Sequence, residues 1–316
     1  MEIYIDKAFL DNFRAKYDAE NDCHRNLRKF LSKANFGKVF LDFEYADKEE
    51  FMNALDNNSF LDELINVKSV IADSSFKVNW KTIPFHNNSI PKLFFIDNEN
   101  LSIDVDYGCF YTSSDTLEKC EWLFETEDFR INDTMTDWSV LKKISHPCNA
   151  LVLTDNYMFT NDTNYENLLS VLKNLMPKNL KYNFGFHVTL IGYNFDDKIS
   201  LKQITEDILQ ELMFLFKYKI SLSIVRKKHH ARTIFTNYYR ISGERGFFIF
   251  KDNEIIDKKF NTTIECKSIT NFGKYSSTLE TRNQELEFCG KLYQEVKEKN
   301  GYLGENRLFC CCQCLH

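Results

Sequence analysis

The residues best suited to chemistry lie in one segment, Lys227-Lys-His-His-Ala-Arg232-Thr-Ile-Phe-Thr-Asn237. Within it, His230, Arg232 and Asn237 read His-x-Arg-x4-Asn. An imidazole can attack phosphorus as a nucleophile. A guanidinium can clamp phosphoryl oxygens through two parallel hydrogen bonds. A side-chain amide can orient both. Residues i and i+2 share one face of a strand, so the spacing predicts that His230 and Arg232 point the same way. Lys228, His229, Arg240 and Arg245 surround the triplet and are candidate substrate-binding residues for a phosphate. Asp155, which follows an apolar run, is a candidate to line the same strand-end crevice. Phe235, Tyr238, Tyr239 and Phe247 interleave with the cations. Positive charge with stackable rings suits a single-strand nucleic-acid groove. It suits equally a β-hairpin with one buried face. The hairpin is the favoured reading for the aromatics, and the phosphate role is kept for the cations.

The pattern resembles the His-x-Lys-x4-Asp signature of the phospholipase-D superfamily. Around it, residues 149–250 are similar to the phospholipase-D-like domain at the C-terminus of microtubule-interacting-and-trafficking proteins and in related bacterial proteins. The matching parts are Leu153-Thr-Asp-Asn-Tyr-Met158, a helix at Tyr165–Leu175, a strand at Phe186–Gly192 and the return Ser242-Gly-Glu-Arg-Gly-Phe-Phe248. The family's His-Asp-Arg and Asp-Pro-Tyr elements read here as His230-Ala-Arg232 and Asp155-Asn-Tyr157. The resemblance implies a nucleic-acid phosphodiesterase, with His230 as nucleophile, Arg232 as phosphate clamp and Asn237 as orienting group. It implies no metal and no other cofactor. The motif occurs once, so a homodimer would supply the second His. Through its bacterial relatives it implies a nucleic-acid-directed effector, for example in defence against phage. Arg232 stands where the family has Lys and is not its equivalent in proton handling. Asn237 stands where the family has Asp and cannot carry its charge. Relatives of this kind bind lipid or partner proteins, so two further readings stay open. One is a catalytically inactive phosphate or polyanion-binding module that works through a partner protein. The other is a scaffold whose basic strand is only surface.

Strands alternating with amphipathic helices must position these residues. Apolar runs predict strands at Ile3–Ile5, Lys38–Phe43, Leu93–Ile96, Ala150–Thr154, Phe184–Ile191, Ile220–Val225, Thr233–Tyr239 and Phe247–Phe250. Helices are predicted at Cys23–Lys33, Lys48–Asp56, Asp115–Phe124, Tyr165–Leu175, Leu201–Lys217 and Arg282–Lys299. Leu286, Cys289, Leu292, Tyr293 and Val296 fall on one face of the last helix. The alternation points to two α/β domains with mixed, mainly parallel sheets, the C-terminal one phospholipase-D-like. The breaker cluster Ser145-His-Pro-Cys-Asn149 suggests a division into residues 1–147 and 148–309, with a Cys-rich tail at 310–316. Charge divides there too. Residues 1–147 hold 17 Lys+Arg against 27 Asp+Glu, and residues 148–316 hold 23 against 19. The acidic part suits recognition of a protein partner or oligomerisation. The basic part suits a nucleic acid or another phosphate polyanion.

The acidic part also ends three apolar runs in Asp6, Asp42 and Asp97, with Glu44 just beyond the second. Clustered carboxylates at strand ends could hold Mg²⁺ or Mn²⁺, the logic of a metal-dependent nuclease of PIN type. Asp is equally a common helix cap, and that is the stronger reading. The tail Cys310-Cys-Cys-Gln-Cys-Leu-His316 offers soft ligands at a spacing wrong for a zinc knuckle, and reads as a lightly packed tail. Gly304–Phe309 before it reads as a turn into an anchoring strand. His187 reads as a satisfied core residue, while His24, His86 and His146 have no ligand partner at metal spacing. Cysteines 23, 109, 120, 148, 266 and 289 follow no disulfide framework and read as small core residues. No phosphate-binding Gly loop and no Gly-x-Ser-x-Gly occurs, so ATPase, dehydrogenase and serine-hydrolase readings lack support. No apolar run reaches membrane-spanning length and the N-terminus lacks a secretory pattern, so the expected location is cytoplasmic. The 29 Phe among 316 residues, like the frequent Asn and Lys, fit an AT-rich coding bias.

Overall fold

The computed structural model describes residues 1–32, 38–42, 48–67, 69–72, 90–98, 107–124, 126–132, 134–144, 146–159, 165–181, 184–194, 200–251, 254–256, 262–271, 278–300 and 303–309. Glu44, His86 and the 310–316 tail lie outside the described residues. The chain divides into two compact units, Met1–Val105 with Cys109–Phe124, and Asp106–Gly108 with Glu125–His316. One carries a parallel sheet and the other a mixed one.

In the first unit β1 (Glu2–Ile5), β2 (Lys38–Leu41), β3 (Ser69–Ala72), β4 (Lys92–Phe95) and β5 (Phe110–Thr112) run in the order β3-β2-β1-β4-β5. All four pairings are parallel. Among the described residues four α-helices accompany them, α1 (Lys7–Lys16), α2 (Asp22–Leu31), α3 (Lys48–Asn57) and α4 (Ser59–Val67). Side chains alternate across a strand. Ile3 and Ile5 therefore share one face, while Tyr4 stacks on Phe40 and Phe94 at 4.7 and 4.9 Å, in register on the neighbouring strands. Asp6, Asn21 and Asn58 accept backbone N–H groups at the starts of α1, α2 and α4. The predicted helix at Asp115–Phe124 is a 3₁₀ helix over Leu117–Leu123 that buries Leu117, Cys120 and Leu123.

In the second unit β6 (Thr126–Ile131), β7 (Ala150–Thr154), β8 (Phe186–Gly192), β9 (Ile220–Arg226), β10 (Thr233–Thr236), β11 (Tyr239–Gly243) and β14 (Thr262–Ser268) form one sheet, ordered β6-β14-β11-β10-β7-β8-β9. Strands β12 (Phe250–Lys251) and β13 (Glu254–Ile255) make a small ribbon. Helices α5 (Glu166–Leu175) and α6 (Leu201–Leu215) connect β7 to β8 and β8 to β9, which pair in parallel. The other pairings are antiparallel, so "mainly parallel" does not hold for this sheet. The predicted single strand Thr233–Tyr239 is instead a hairpin. Thr236 accepts the N–H groups of Tyr238 and Tyr239 and turns the chain. Because β6 pairs with β14, and Trp138 is buried against Phe247 and Phe250, residues 126–144 belong to this unit. The break falls at 124/125, ahead of the 147/148 division suggested by charge.

One core of this unit joins Ala150, Val152, Ile191, Val225 and Phe235 to α7 (Thr278–Asn300). Leu286, Cys289, Tyr293 and Val296 of α7 are buried in it, with Leu292 packed at its margin, the face that apolar spacing marked out. Leu308 and Phe309 close it as a short helical turn, not as a strand. All six scattered cysteines are free and buried, and burial pushes the thiols of Cys148, Cys266 and Cys289 well up, which leaves them inert.

Two histidines are structural. His146 Nδ1 donates to the Ile144 carbonyl at 2.6 Å, which leaves Nε2 to accept the Thr236 hydroxyl at 2.7 Å. His187 Nδ1 accepts the Arg307 N–H at 3.2 Å. Burial pushes them down to about 4 and about 3, from an ordinary 6.5. The unfolded chain therefore takes up protons first, and stability falls as pH drops from 6.5 towards 4. At 1.36 kcal/mol per unit, His146 alone accounts for roughly 3 kcal/mol at the bottom of that range. Buried Asp6 and Asp155 are shifted up and act in the opposite sense. The expected outcome is a flatter melting-temperature profile against pH for His146→Gln than for the unsubstituted chain. Parallel profiles would count against the assignment.

Candidate functional site

The carboxyl ends of β7, β8 and β9 and the start of β10 share one edge of the mixed sheet, because β10 pairs antiparallel with β7, Thr233 opposite Thr154. Open α/β sheets bind ligands at this kind of edge. The basic segment 227–232 lies here as a loop between β9 and β10. His230 and Arg232 therefore do not sit on one strand face as the spacing predicted. They precede the strand. The Lys227 N–H holds the loop to the Gly192 carbonyl at 2.8 Å, and the His229 N–H holds it to Asn156 Oδ1 at 3.1 Å.

Asp155 anchors the edge. It is fully buried, and its carboxylate accepts the Tyr157 N–H at 2.8 Å and the Phe247 N–H at 2.7 Å. Burial pushes this carboxyl up, against the opposing pull of the two N–H donors and of Arg232. Gly246 passes so close, at φ +87°, that a Cβ there would lie 2.4 Å from Asp155 Oδ2 and 3.2 Å from Arg232 Cδ. The segment carrying Phe247 is fixed in turn from below. Asn167 Oδ1 accepts the N–H groups of Ile249 and Phe250, and Trp138 Nε1 donates to the Phe247 carbonyl at 3.2 Å.

Against this frame Arg232 is half-buried, donates to the Glu244 carbonyl at 2.6 Å and lies 5.6 Å over the Tyr157 ring. Lys228, His230 and Arg245 are exposed along the same edge. His229 is buried. It accepts the Ala231 N–H at Nδ1 and packs 5.3 Å from Phe288, and burial pushes its pKa down. Its ring is spent on the shape of the loop, through the Ala231 N–H and Phe288. Arg240 is committed elsewhere, to both Glu285 oxygens at 2.7 and 2.8 Å and to Ser242. Lys227 pairs with Glu295 at 3.1 Å.

Asn237 is not part of this edge. It follows β10, and five residue steps along that strand put it about 16 Å from Arg232. Its Oδ1 accepts the N–H groups of Asn149 and Ala150, and its Nδ2 donates to Asn149 Oδ1. It fastens the start of β7. The interleaved Phe235, Tyr238, Tyr239 and Phe247 are all buried; the first three lie in the β10–β11 hairpin, whose first strand is buried on both faces, and Phe247 follows it. The motifs gave Tyr157 no binding role and did not reach Tyr193; the two are exposed at 46% and 50% on the same edge. Their sequence signal is a place just past an apolar strand run, one residue beyond it for Tyr193 and three for Tyr157.

In the first unit the strand-end acids do meet on one edge, where the strand order reverses between β1 and β4. Backbone groups occupy them. Asp6 accepts from Phe9, Asp97 and Asn98, Asp42 from Lys7, and Asp97 from Ser114 and the Asn12 side chain. Among the described residues no group of three His, Cys, Asp or Glu is arranged to hold a metal. Among the described residues no helix is long and apolar enough to cross a membrane. No protein-family model matches the chain, and no curated protein matches it.

Proposed function

We propose that the second unit binds the phosphodiester backbone of a nucleic acid, and that it works through a partner without cutting what it binds. The observation that carries this is Arg232, fixed by Glu244 and set over Tyr157 beside buried Asp155, with exposed Lys228 and His230 on the same edge. A pre-positioned guanidinium loses little entropy on gripping a phosphate. The resemblance to phospholipase-D-like domains supports the same location for a phosphate. The loss of Asn237 from the edge favours binding over catalysis, since the third member of the motif serves β7 instead. The first unit is the proposed contact for a protein partner.

One observation favours a second reading. His230 is exposed two residues from Arg232, free to meet its counterpart in a homodimer of phospholipase-D type. One experiment separates the two. The full chain, His230→Ala and Arg232→Ala are incubated with labelled single- and double-stranded DNA and RNA, with and without EDTA. The expected result is binding without cleavage. Arg232→Ala should weaken binding about tenfold and reduce the salt slope by about 0.7 to 0.9. Cleavage that survives EDTA and disappears in His230→Ala would replace the binding reading with the dimeric phosphodiesterase.

A further inference from the structure

The basic edge carries two large aromatics that no packing requirement explains. A singly exposed ring needs no explanation. Here two stand at adjacent strand ends. Tyr157 follows β7 and Tyr193 follows β8, and the two turns are tied by the Asp155 N–H to the Ile191 carbonyl at 3.0 Å and the Asn194 N–H to the Asn156 carbonyl at 3.1 Å. Tyr157 already carries the Arg232 guanidinium at 5.6 Å from its centroid. Lys228 and His230 are exposed on the loop that follows the next strand, β9.

The opposite flank of Arg232 is different. There a cleft of about 460 Å³ sets the carboxylates Asp128, Glu244 and Glu265 against Arg232 and Arg240, with Arg240 held by Glu285 and Glu265 paired to Lys267, so its unpaired charge is mainly that of Asp128 and Glu244. These carboxylates repel a polyanion, and duplex DNA, charged on both strands, has nothing to gain from exposed rings. A strand with unpaired bases does. Its phosphates can follow the cations while its bases lie on the tyrosines.

We infer that the ligand of this edge is single-stranded nucleic acid, held by base stacking on Tyr157 and Tyr193 as well as by phosphate contacts to Arg232, Lys228 and His230. The inference rests on the proposed phosphate-binding function and adds the bases to it.

The test measures binding of the full chain to four probes: oligothymidylate, an abasic oligonucleotide of equal length, the corresponding duplex, and inorganic polyphosphate. The unsubstituted chain should prefer oligothymidylate over the abasic strand by about tenfold or more. Tyr157→Ala with Tyr193→Ala should close that gap, and Tyr157→Phe with Tyr193→Phe should preserve it, since the ring and not the hydroxyl stacks. Both rings are about half exposed, so an unchanged melting temperature is expected for all four substitutions. Equal binding of base-bearing and abasic strands, or of the duplex and oligothymidylate, overturns the stacking inference and leaves the phosphate reading standing. The same holds if the alanine substitutions leave the gap intact. Failure of the phosphate reading is distinct: polyphosphate then does not compete and Arg232→Ala changes nothing. Absence of binding to every probe overturns both.

Discussion

Arg307→Ala should lower the melting temperature of the second unit by roughly 10 °C or more. Arg307 is 7% exposed and sits in the short C-terminal turn. Its guanidinium donates to the carbonyls of Asn149 and Gly185, both at 2.9 Å, and to that of Phe184, whose ring it covers at 4.0 Å. Next to it, Asn306 donates to the Leu151 carbonyl and the Thr189 hydroxyl. The last described residues thus clasp β7 to β8. Removing the guanidinium leaves the Phe184 and Gly185 carbonyls in a place water reaches poorly, at about 1–3 kcal/mol for each unmet group, while the Asn149 carbonyl keeps the His187 N–H. A total of about 3–5 kcal/mol is a large share of a typical 5–15 kcal/mol stability. Thermal denaturation followed by circular dichroism measures it. Arg307→Lys should recover only part, because one ammonium cannot span three carbonyls and cover a ring. A shift of less than a few degrees would show that the clasp is not a major support.

Gly246→Ala should damage stability and binding together. The backbone there has φ +87°, which a side chain resists by about 1–2 kcal/mol. The added Cβ also meets Asp155 Oδ2 at 2.4 Å, and that carboxylate is held by two N–H groups. A destabilisation of about 2–4 kcal/mol follows from the two effects together. Whatever relaxes must move Asp155 or Arg232, so affinity for a nucleic acid should fall in the same variant, well below its unfolding temperature. Melting and salt-dependent binding measured on one preparation check both halves. Intact binding in a destabilised variant would separate the glycine from the site.

The elements with strong periodicity were legible in the sequence. Ala150–Thr154 is a continuous apolar run and forms a strand buried on both faces. Strand β14 and helix α1 were not legible. β14 alternates Thr, Ile, Cys and Ser with Glu and Lys, which reads as polar. α1 buries Phe9, Leu10 and Phe13 but opens on Lys and carries Asp and Asn through its middle. The hairpin of β10 and β11 looked like one strand because its turn, Asn237-Tyr238, has no Gly or Pro and is closed by the Thr236 hydroxyl.

What the sequence determined by itself is the inventory: α/β alternation, a buried parallel segment, an acidic first part and a cationic stretch ahead of an apolar strand. These follow from local spacing and charge, which need no knowledge of distant residues. Which members of the cationic stretch remain available was decided by tertiary structure alone. Asn237 was withdrawn by Asn149, 88 residues away, and Arg240 by Glu285, 45 residues away. Gly246 and Asp155, 91 positions apart, were brought into contact, and the turns that carry Tyr157 and Tyr193 were tied together by backbone hydrogen bonds. A polar side chain is free or spent according to the partner that folding brings to it, and that partner lies far along the chain.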